Sequence, residues 1–301
     1  MPEGHSLHRL ARSLTRSFAG RPVASSSPQG RFAGEAARLD GRVLEAAEAY
    51  GKHLFVRFEG EDVVHVHLGL YGTMIRGSAP ADPPRGLVRW RIEGTRWFAD
   101  LRGPTACELM GPAGRDAIVA RIGPDPLRRD AEPERARRRI AASRAPIAAL
   151  LMDQSVIGGI GNVYRAELLH RHGVSPFLEG LALPPEVFDA MWADLVLLMR
   201  DGVRRGRIVT LDAADVEAMA ALDADRPAPD DPELDGGEDT VARRRLRRST
   251  GVYVYRREGR ACLRCGSVVS AQDFHGRRLF WCPGCQRLPR RRSPRRSRAV
   301  T

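Results

Sequence analysis

Between residues 4 and 18 the apolar side chains Leu7, Leu10, Ala11, Leu14 and Phe18 recur at helical spacing, while Arg9, Arg12 and Arg16 fall on another face. This predicts an amphipathic helix laid against a core. From Arg42 to about Leu101 the period drops to two. Lys52-His53-Leu54-Phe55-Val56-Arg57-Phe58 alternates, Val64 to Leu68 alternates, and pieces from Leu87 to Ile92 and from Arg96 to Leu101 follow. Turns rich in Gly, Asp and Pro separate them, so an antiparallel β domain is expected here, a two-layer sandwich. Helical spacing returns near Pro133 with an arginine-rich helix over 134–144. An apolar helix from Ile147 to about Gln154 then runs into Ile157-Gly158-Gly159-Ile160-Gly161-Asn162. A second helix, Val163 to His172, is stopped by Gly173 and Pro176. Residues 181–204 suggest one more helix, with Val187, Met191, Leu195 and Leu198 on one face.

These patterns divide the chain. Residues 1–121 read as an N-terminal β-sandwich domain with its terminal helix, and 122–133 as a linker stiffened by Gly-Pro-Asp-Pro. Residues 134–210 read as a helical domain and 250–287 as a ribbon. Between them, 211–249 is first acidic and poor in large apolar side chains, then Arg-rich, and is expected to be a mobile insert. Residues 288–301 form a basic tail expected to be disordered. The fold class is α+β and multidomain.

Composition narrows the partner. The 301 residues are 43% hydrophobic, enough for globular cores. No apolar run approaches the roughly 18 residues of a membrane span, and no signal-peptide segment opens the chain. A soluble protein of the cytoplasm is expected. The net charge of +12 and a pI near 10.5 suit a polyanion, most simply nucleic acid. An acidic membrane surface competes, but the basic residues are spread along the chain instead of along one helix face. Lys52 is the only lysine among 49 basic residues. Arginine cannot replace lysine where a compact ammonium or a shiftable pKa is needed, so Lys52 is a candidate functional residue.

Candidate chemistry sits at both ends and in the middle. Removal of Met1 would leave the secondary amine of Pro2 at the chain start. Such an amine titrates near 8, far below lysine, so a useful fraction is nucleophilic at neutral pH. Glu3 is beside it as a proton donor. Gly69-Leu70-Tyr71-Gly72 follows a strand, and its glycines would put Leu70 and Tyr71 at a loop tip, able to wedge into a base stack or else to fold back into the core. Asn162 is expected to cap the helix after the glycine turn, whose bare amides form an anion site. Cys262-x-x-Cys265 and Cys282-x-x-Cys285 have the spacing of two knuckles holding one structural Zn2+ tetrahedrally, with iron as the alternative metal. Arg277 would project from the hairpin between them, suited to phosphate contact, and Cys107 reads as a buried thiol.

Five blocks together resemble the formamidopyrimidine-DNA glycosylase / endonuclease VIII family: Met1-Pro2-Glu3-Gly4, Gly51-Lys52, Ile122-Gly123-Pro124-Asp125-Pro126-Leu127, Gly159-Ile160-Gly161-Asn162-Val163-Tyr164 and Phe280-Trp281-Cys282-Pro283-Gly284-Cys285-Gln286. They stand in the family's order and span nearly the whole chain. The resemblance implies a β-sandwich with a terminal helix, a helix–two-turn–helix domain and a zinc finger. It implies base excision repair of double-stranded DNA containing oxidised bases or abasic sites, by a monomeric glycosylase and lyase. Pro2 would attack C1′ of an extruded nucleotide and Glu3 would protonate the sugar ring oxygen. Lys52 would hold a phosphate, as would Asn162 and Arg277. Leu70 and Tyr71 would fill the void as in endonuclease VIII, which favours oxidised pyrimidines. Three positions depart from the family: His5 stands for a common proline, Ser6 for a usual glutamate, and Gly69 for the glutamine of endonuclease VIII. A binding-only member of the same fold and a zinc-ribbon transcription regulator are the other readings.

Overall fold

The structure, a computed structural model, describes residues 2–216 and 251–288. Most of the acidic insert, the Arg run at 243–248 and the tail from Arg290 lie outside the described residues. In chain order the elements are α1 (Gly4–Phe18), β1 (Arg21–Pro22), β2 (Ala24–Ser26), α2 (Ala33–Leu39), β3 (Val43–Tyr50), β4 (His53–Phe58), β5 (Val63–His67), β6 (Thr73–Ser78), β7 (Val88–Glu93), β8 (Trp97–Arg102), β9 (Ala106–Met110) and α3 (Pro112–Val119). The second half holds α4 (Pro133–Ala141), α5 (Ile147–Leu150), α6 (Asn162–Arg171), α7 (Pro185–Arg205), β10 (Ser270–Phe274) and β11 (Arg277–Trp281).

Strands β1 to β9 build two antiparallel sheets, β1-β3-β4-β5-β9 and β2-β7-β8-β6, and β10 pairs with β11 as a separate hairpin. The two sheets face each other across one apolar core in which Leu44, Leu54, Val56, Phe58, Val64 and Val66 of the first meet Trp90, Ile92, Ala99 and Leu101 of the second. The expected alternation is the cause: every second residue of β4 points inward. Helix α1 adds Leu7, Ala11, Leu14 and Phe18 to the same core and leaves Arg9, Arg12 and Arg16 exposed. Each such large side chain contributes about 1.5–3 kcal/mol on burial, so the chain start is firmly moored. Cys107 is buried there too.

The other face of β4 and β5 is also covered, by α3. Arg115 of that helix stacks over buried Phe55 and pairs with Glu48 of β3. Neither α3 nor β9 stands out in the sequence, because both are short and Gly- or Pro-flanked.

The helical half has its own core, from Ile140 and Ile147 through Ile160, Tyr164 and Leu168 to Met191, Leu195 and Met199. Leu279 of β11 belongs to it, so the ribbon hairpin packs on the helices. The helix expected from Ile147 to about Gln154 ends at Leu150. Gln154 instead braces the glycine turn: its amide donates to the Ile160 carbonyl and accepts from the Gly159 N–H. Among the described residues no helix is long and apolar enough to cross a membrane.

A candidate active site at the seam of two domains

The chain start lies against the glycine turn. Gly4 N–H donates to the Gly159 carbonyl at 2.8 Å. Glu3 is fully buried, and its carboxylate accepts the N–H groups of Gly161 and Val163 at 2.8 Å each and of Tyr164 at 3.4 Å. A Cβ on Gly161 would stand 2.4 Å from the Glu3 Cδ, so only glycine lets the two domains close this tightly. Asn162 is therefore not the cap. The cap position is Gly161, and Asn162 is the first helical residue. The expected anion site at the start of α6 is filled by the protein's own carboxylate, because a helix start with bare amides attracts the nearest fixed anion. The Asn162 amide donates to the Arg278 carbonyl in the ribbon at 2.8 Å and accepts from the buried Arg165.

Lys52 occupies the turn between β3 and β4, one residue before the strand in which alternation placed it. Burial lowers its pKa, the charge of Glu3 opposes that, and Arg277 and Arg165 add to it. Burial raises Glu3, while Lys52 and the three amides pull the other way. Lys52 and Arg165 thus both feel the Glu3 carboxylate and the Arg277 guanidinium. Pro2, partly exposed, precedes that carboxylate.

Asp125 fixes this geometry and was legible only as part of a stiff linker. It is fully buried; Oδ2 accepts the Gly51 N–H at 2.8 Å and meets His8 Nε2 of α1 at 2.7 Å, while Oδ1 accepts the Leu127 N–H at 2.8 Å. One carboxylate joins the lysine turn, the terminal helix and the linker.

Leu70 and Tyr71 are 45% and 86% exposed at a loop tip and do not fold back into the core. Gly69 has φ +65°, and a Cβ there would fall 1.9 Å from Thr105 Oγ1, so a glutamine at 69 would strain this turn and push the Thr105 side chain aside. Arg277, partly buried, opens β11 directly after the His275-Gly276 turn, as expected. His5 is buried edge-on against Tyr164, with Ser6 Oγ 3.2 Å from its Nε2.

The four ribbon cysteines gather as their spacing predicts. Cys262 and Cys285 have Sγ atoms 3.8 Å apart, and Cys265 and Cys282 3.4 Å. Four thiolates around a tetrahedral Zn2+, at about 2.3 Å each, stand about 3.8 Å apart, so the donor set fits that ion. The sequence did not single out His170 of α6. Its Nε2 lies 3.4 Å from Cys262 Sγ, and it joins Cys262, Cys282 and Cys285 in one cluster of donor atoms. An imidazole N–H beneath a thiolate orients and stabilises it.

A sandwich whose chain start is sealed by a helical domain, followed by a four-cysteine ribbon, is the architecture of one class of DNA repair glycosylases. A complex of Lactococcus lactis Fpg with abasic-site DNA shares the fold at TM-score 0.72 and 18% identity, covering 95% of this chain and 100% of that one. Residues 1–107 match the formamidopyrimidine-DNA glycosylase N-terminal domain and residues 122–213 the formamidopyrimidine-DNA glycosylase H2TH domain. Endonuclease 8 1 of Mycobacterium tuberculosis is 49% identical over 290 residues, 95% of this chain and 100% of that protein. Probable endonuclease 8 2 of Streptomyces coelicolor is 33% identical over 307 residues, 96% and 95% of the two chains. The chain belongs to the formamidopyrimidine-DNA glycosylase / endonuclease VIII family of base excision repair.

Proposed function

We propose that the protein is a bifunctional DNA glycosylase and AP lyase that removes oxidised bases, pyrimidines foremost, and cuts the strand at the same site. The observation that supports it most is the buried Glu3 carboxylate, locked on α6 beside the partly exposed Pro2 and in the field of Lys52. With Met1 removed, the Pro2 nitrogen attacks C1′ of a nucleotide turned out of the duplex, and the N-glycosidic bond breaks with its electron pair leaving on the base. Glu3, whose raised pKa suits an acid, gives its proton to the ring oxygen, and the sugar opens to an iminium. The iminium withdraws electrons, so loss of a C2′ proton expels the 3′ phosphate, and a second elimination expels the 5′ phosphate.

Lys52 holds the phosphate next to the lesion as a compact cation. Asn162 and Arg277 contact the same backbone from the helical domain and the ribbon. Leu70 and Tyr71 enter the gap left by the extruded nucleotide, and their likeness to the endonuclease VIII loop supports pyrimidine lesions. Cys262, Cys265, Cys282 and Cys285 hold one structural Zn2+ that ties the ribbon together; with four protein ligands it takes no part in bond breaking. The protein acts as a monomer on double-stranded DNA of the nucleoid, in the cytoplasm.

A second reading, a damaged-DNA-binding protein without catalysis, has one observation in its favour: Ser6 stands where the family usually has a glutamate. Borohydride separates the two. With an abasic or thymine glycol duplex the protein is expected to be trapped covalently, and Pro2→Gly to weaken trapping much more than it weakens binding. Protein confirmed to begin at Pro2 that gives no adduct on any abasic duplex would leave only the binding reading.

A further inference from the structure

The covered face of β4, β5 and β9 carries a polar group that the reaction above does not use. In the strand register His53 stands opposite His67, and His65 opposite Glu108. His53 Nδ1 lies 2.9 Å from His65 Nε2, and the two rings stack 5.1 Å apart at 18°. On its far side, His65 Nδ1 faces the Glu108 carboxylate at 3.6 Å. His65 is only 5% exposed, and that Nδ1 is buried with no hydrogen-bond partner. His67 closes the group, its ring 4.9 Å from that of His53.

Proton placement decides what this group does. Burial first, then His67, His65, Arg121 and Lys52, lowers His53 to about 3, and burial also lowers His65 and His67. All three imidazoles are therefore neutral at working pH, each with one N–H and one lone pair. A single proton bridges His53 and His65. If His65 Nε2 donated it, the buried Nδ1 of His65 would turn a bare lone pair toward the Glu108 carboxylate, which stands at the protein surface 62% exposed, an unfavourable facing of like charge. The opposite arrangement turns a donor instead of a lone pair toward the carboxylate. Glu108 faces the Nδ1–H of His65, His65 Nε2 accepts from the Nδ1–H of His53, and the bare nitrogen of the His53 ring is then its Nε2.

His53 directly follows Lys52, and His67 lies three residues before Leu70. We propose that Glu108, His65 and His53 form a positioning relay that fixes the His53 ring in one tautomer and so sets the lysine turn against the strand leading to the Leu70–Tyr71 loop. This rests on the reading of Lys52 as the lysine that holds the DNA backbone. A neutral, oriented imidazole beside the lysine adds no further positive charge to the ammonium offered to a phosphate.

Long-range 15N–1H correlation on the full protein tests the relay without any reaction. Both His53 and His65 are expected as Nδ1–H tautomers with bare Nε2. Glu108→Gln removes the charge that selects them and is expected to shift both rings toward Nε2–H while the thermal midpoint stays unchanged. With a duplex carrying a reduced, uncleavable abasic site, the same variant is expected to bind several-fold more weakly. His53 found as Nε2–H in the unaltered protein would overturn the proposal, and so would a Glu108→Gln protein with unchanged tautomers or unchanged affinity. If the unaltered protein failed to prefer abasic DNA, the repair reading would fall, and the tautomers would still decide whether the relay exists.

Discussion

Glu3 answers two demands with one carboxylate. As the anion on the start of α6 it accepts three backbone N–H groups, which favours its charged form; as a group with no access to water its charged form is penalised, and the second effect wins. Its neighbour His5 shows the same burial acting on a base. Burial lowers His5 from 6.5 to about 4, so the ring is neutral in the folded protein and charged in the unfolded chain below pH 6.5. A base with a depressed folded pKa contributes stability above its unfolded pKa and loses it as the pH falls toward the folded value. Between pH 6.5 and 4 the folded protein should therefore lose about 3 kcal/mol through this residue. Urea midpoints measured across that window should fall less steeply in His5→Leu than in the unaltered protein; parallel curves would show that the ring is not held neutral. At this scale the sequence pointed to Pro2, Glu3 and Lys52 by residue type alone. It did not point to Asp125, His170 or Arg165, whose importance lies in which atoms they reach.

Among the elements, α6 gathers distant segments of the chain at its start and at its middle. Its start is capped by Glu3. Further along, Glu167 is fully buried and gathers the chain where it returns from the insert: Oε1 accepts the N–H groups of Val254 and Tyr255 at 2.8 Å, and Oε2 accepts the Tyr253 N–H and the Thr210 hydroxyl at 2.6 Å. Thr210 N–H also donates to the Gly251 carbonyl at 2.6 Å, so the end of the helical domain and the start of the ribbon region meet at these two residues. Glu167→Ala would leave the buried amides of Tyr253 and Val254 and the partly buried amide of Tyr255 without this partner, at about 1–3 kcal/mol for each buried one before water or rearrangement relieves it. Hydrogen exchange at Tyr253, Val254 and Tyr255 should speed up strongly in that variant, with a clear drop in thermal midpoint; unchanged protection would mean the ribbon is held by its apolar contacts alone. Periodicity found α1, α4, α6, α7 and most central strands. It overran α5, because Leu151 and Ile157 are buried without being helical: the apolar run continues while the backbone turns.

Across the whole molecule the charge of +12 meets the cations gathered at the domain seam. Each phosphate neutralised on DNA releases counterions, so affinity should fall steeply with salt. Arg277→Ala should weaken binding evenly across sequences and reduce the slope of log K against log salt by about one. A loss confined to particular sequences would instead make Arg277 a reader of bases. What the sequence determined by itself was local or compositional: the periods of helix and strand, the two cysteine knuckles, the lone lysine, the basic balance and the motif order that carries the family likeness. What only the tertiary structure decided was the pairing of distant groups: Glu3 with amides 158 and 160 residues away, Asp125 with Gly51 and His8, and His170 with Cys262. Spacing along a chain reports which face a side chain takes within its own element. Which buried donor meets which buried acceptor depends on how whole elements pack, and that leaves no period to read.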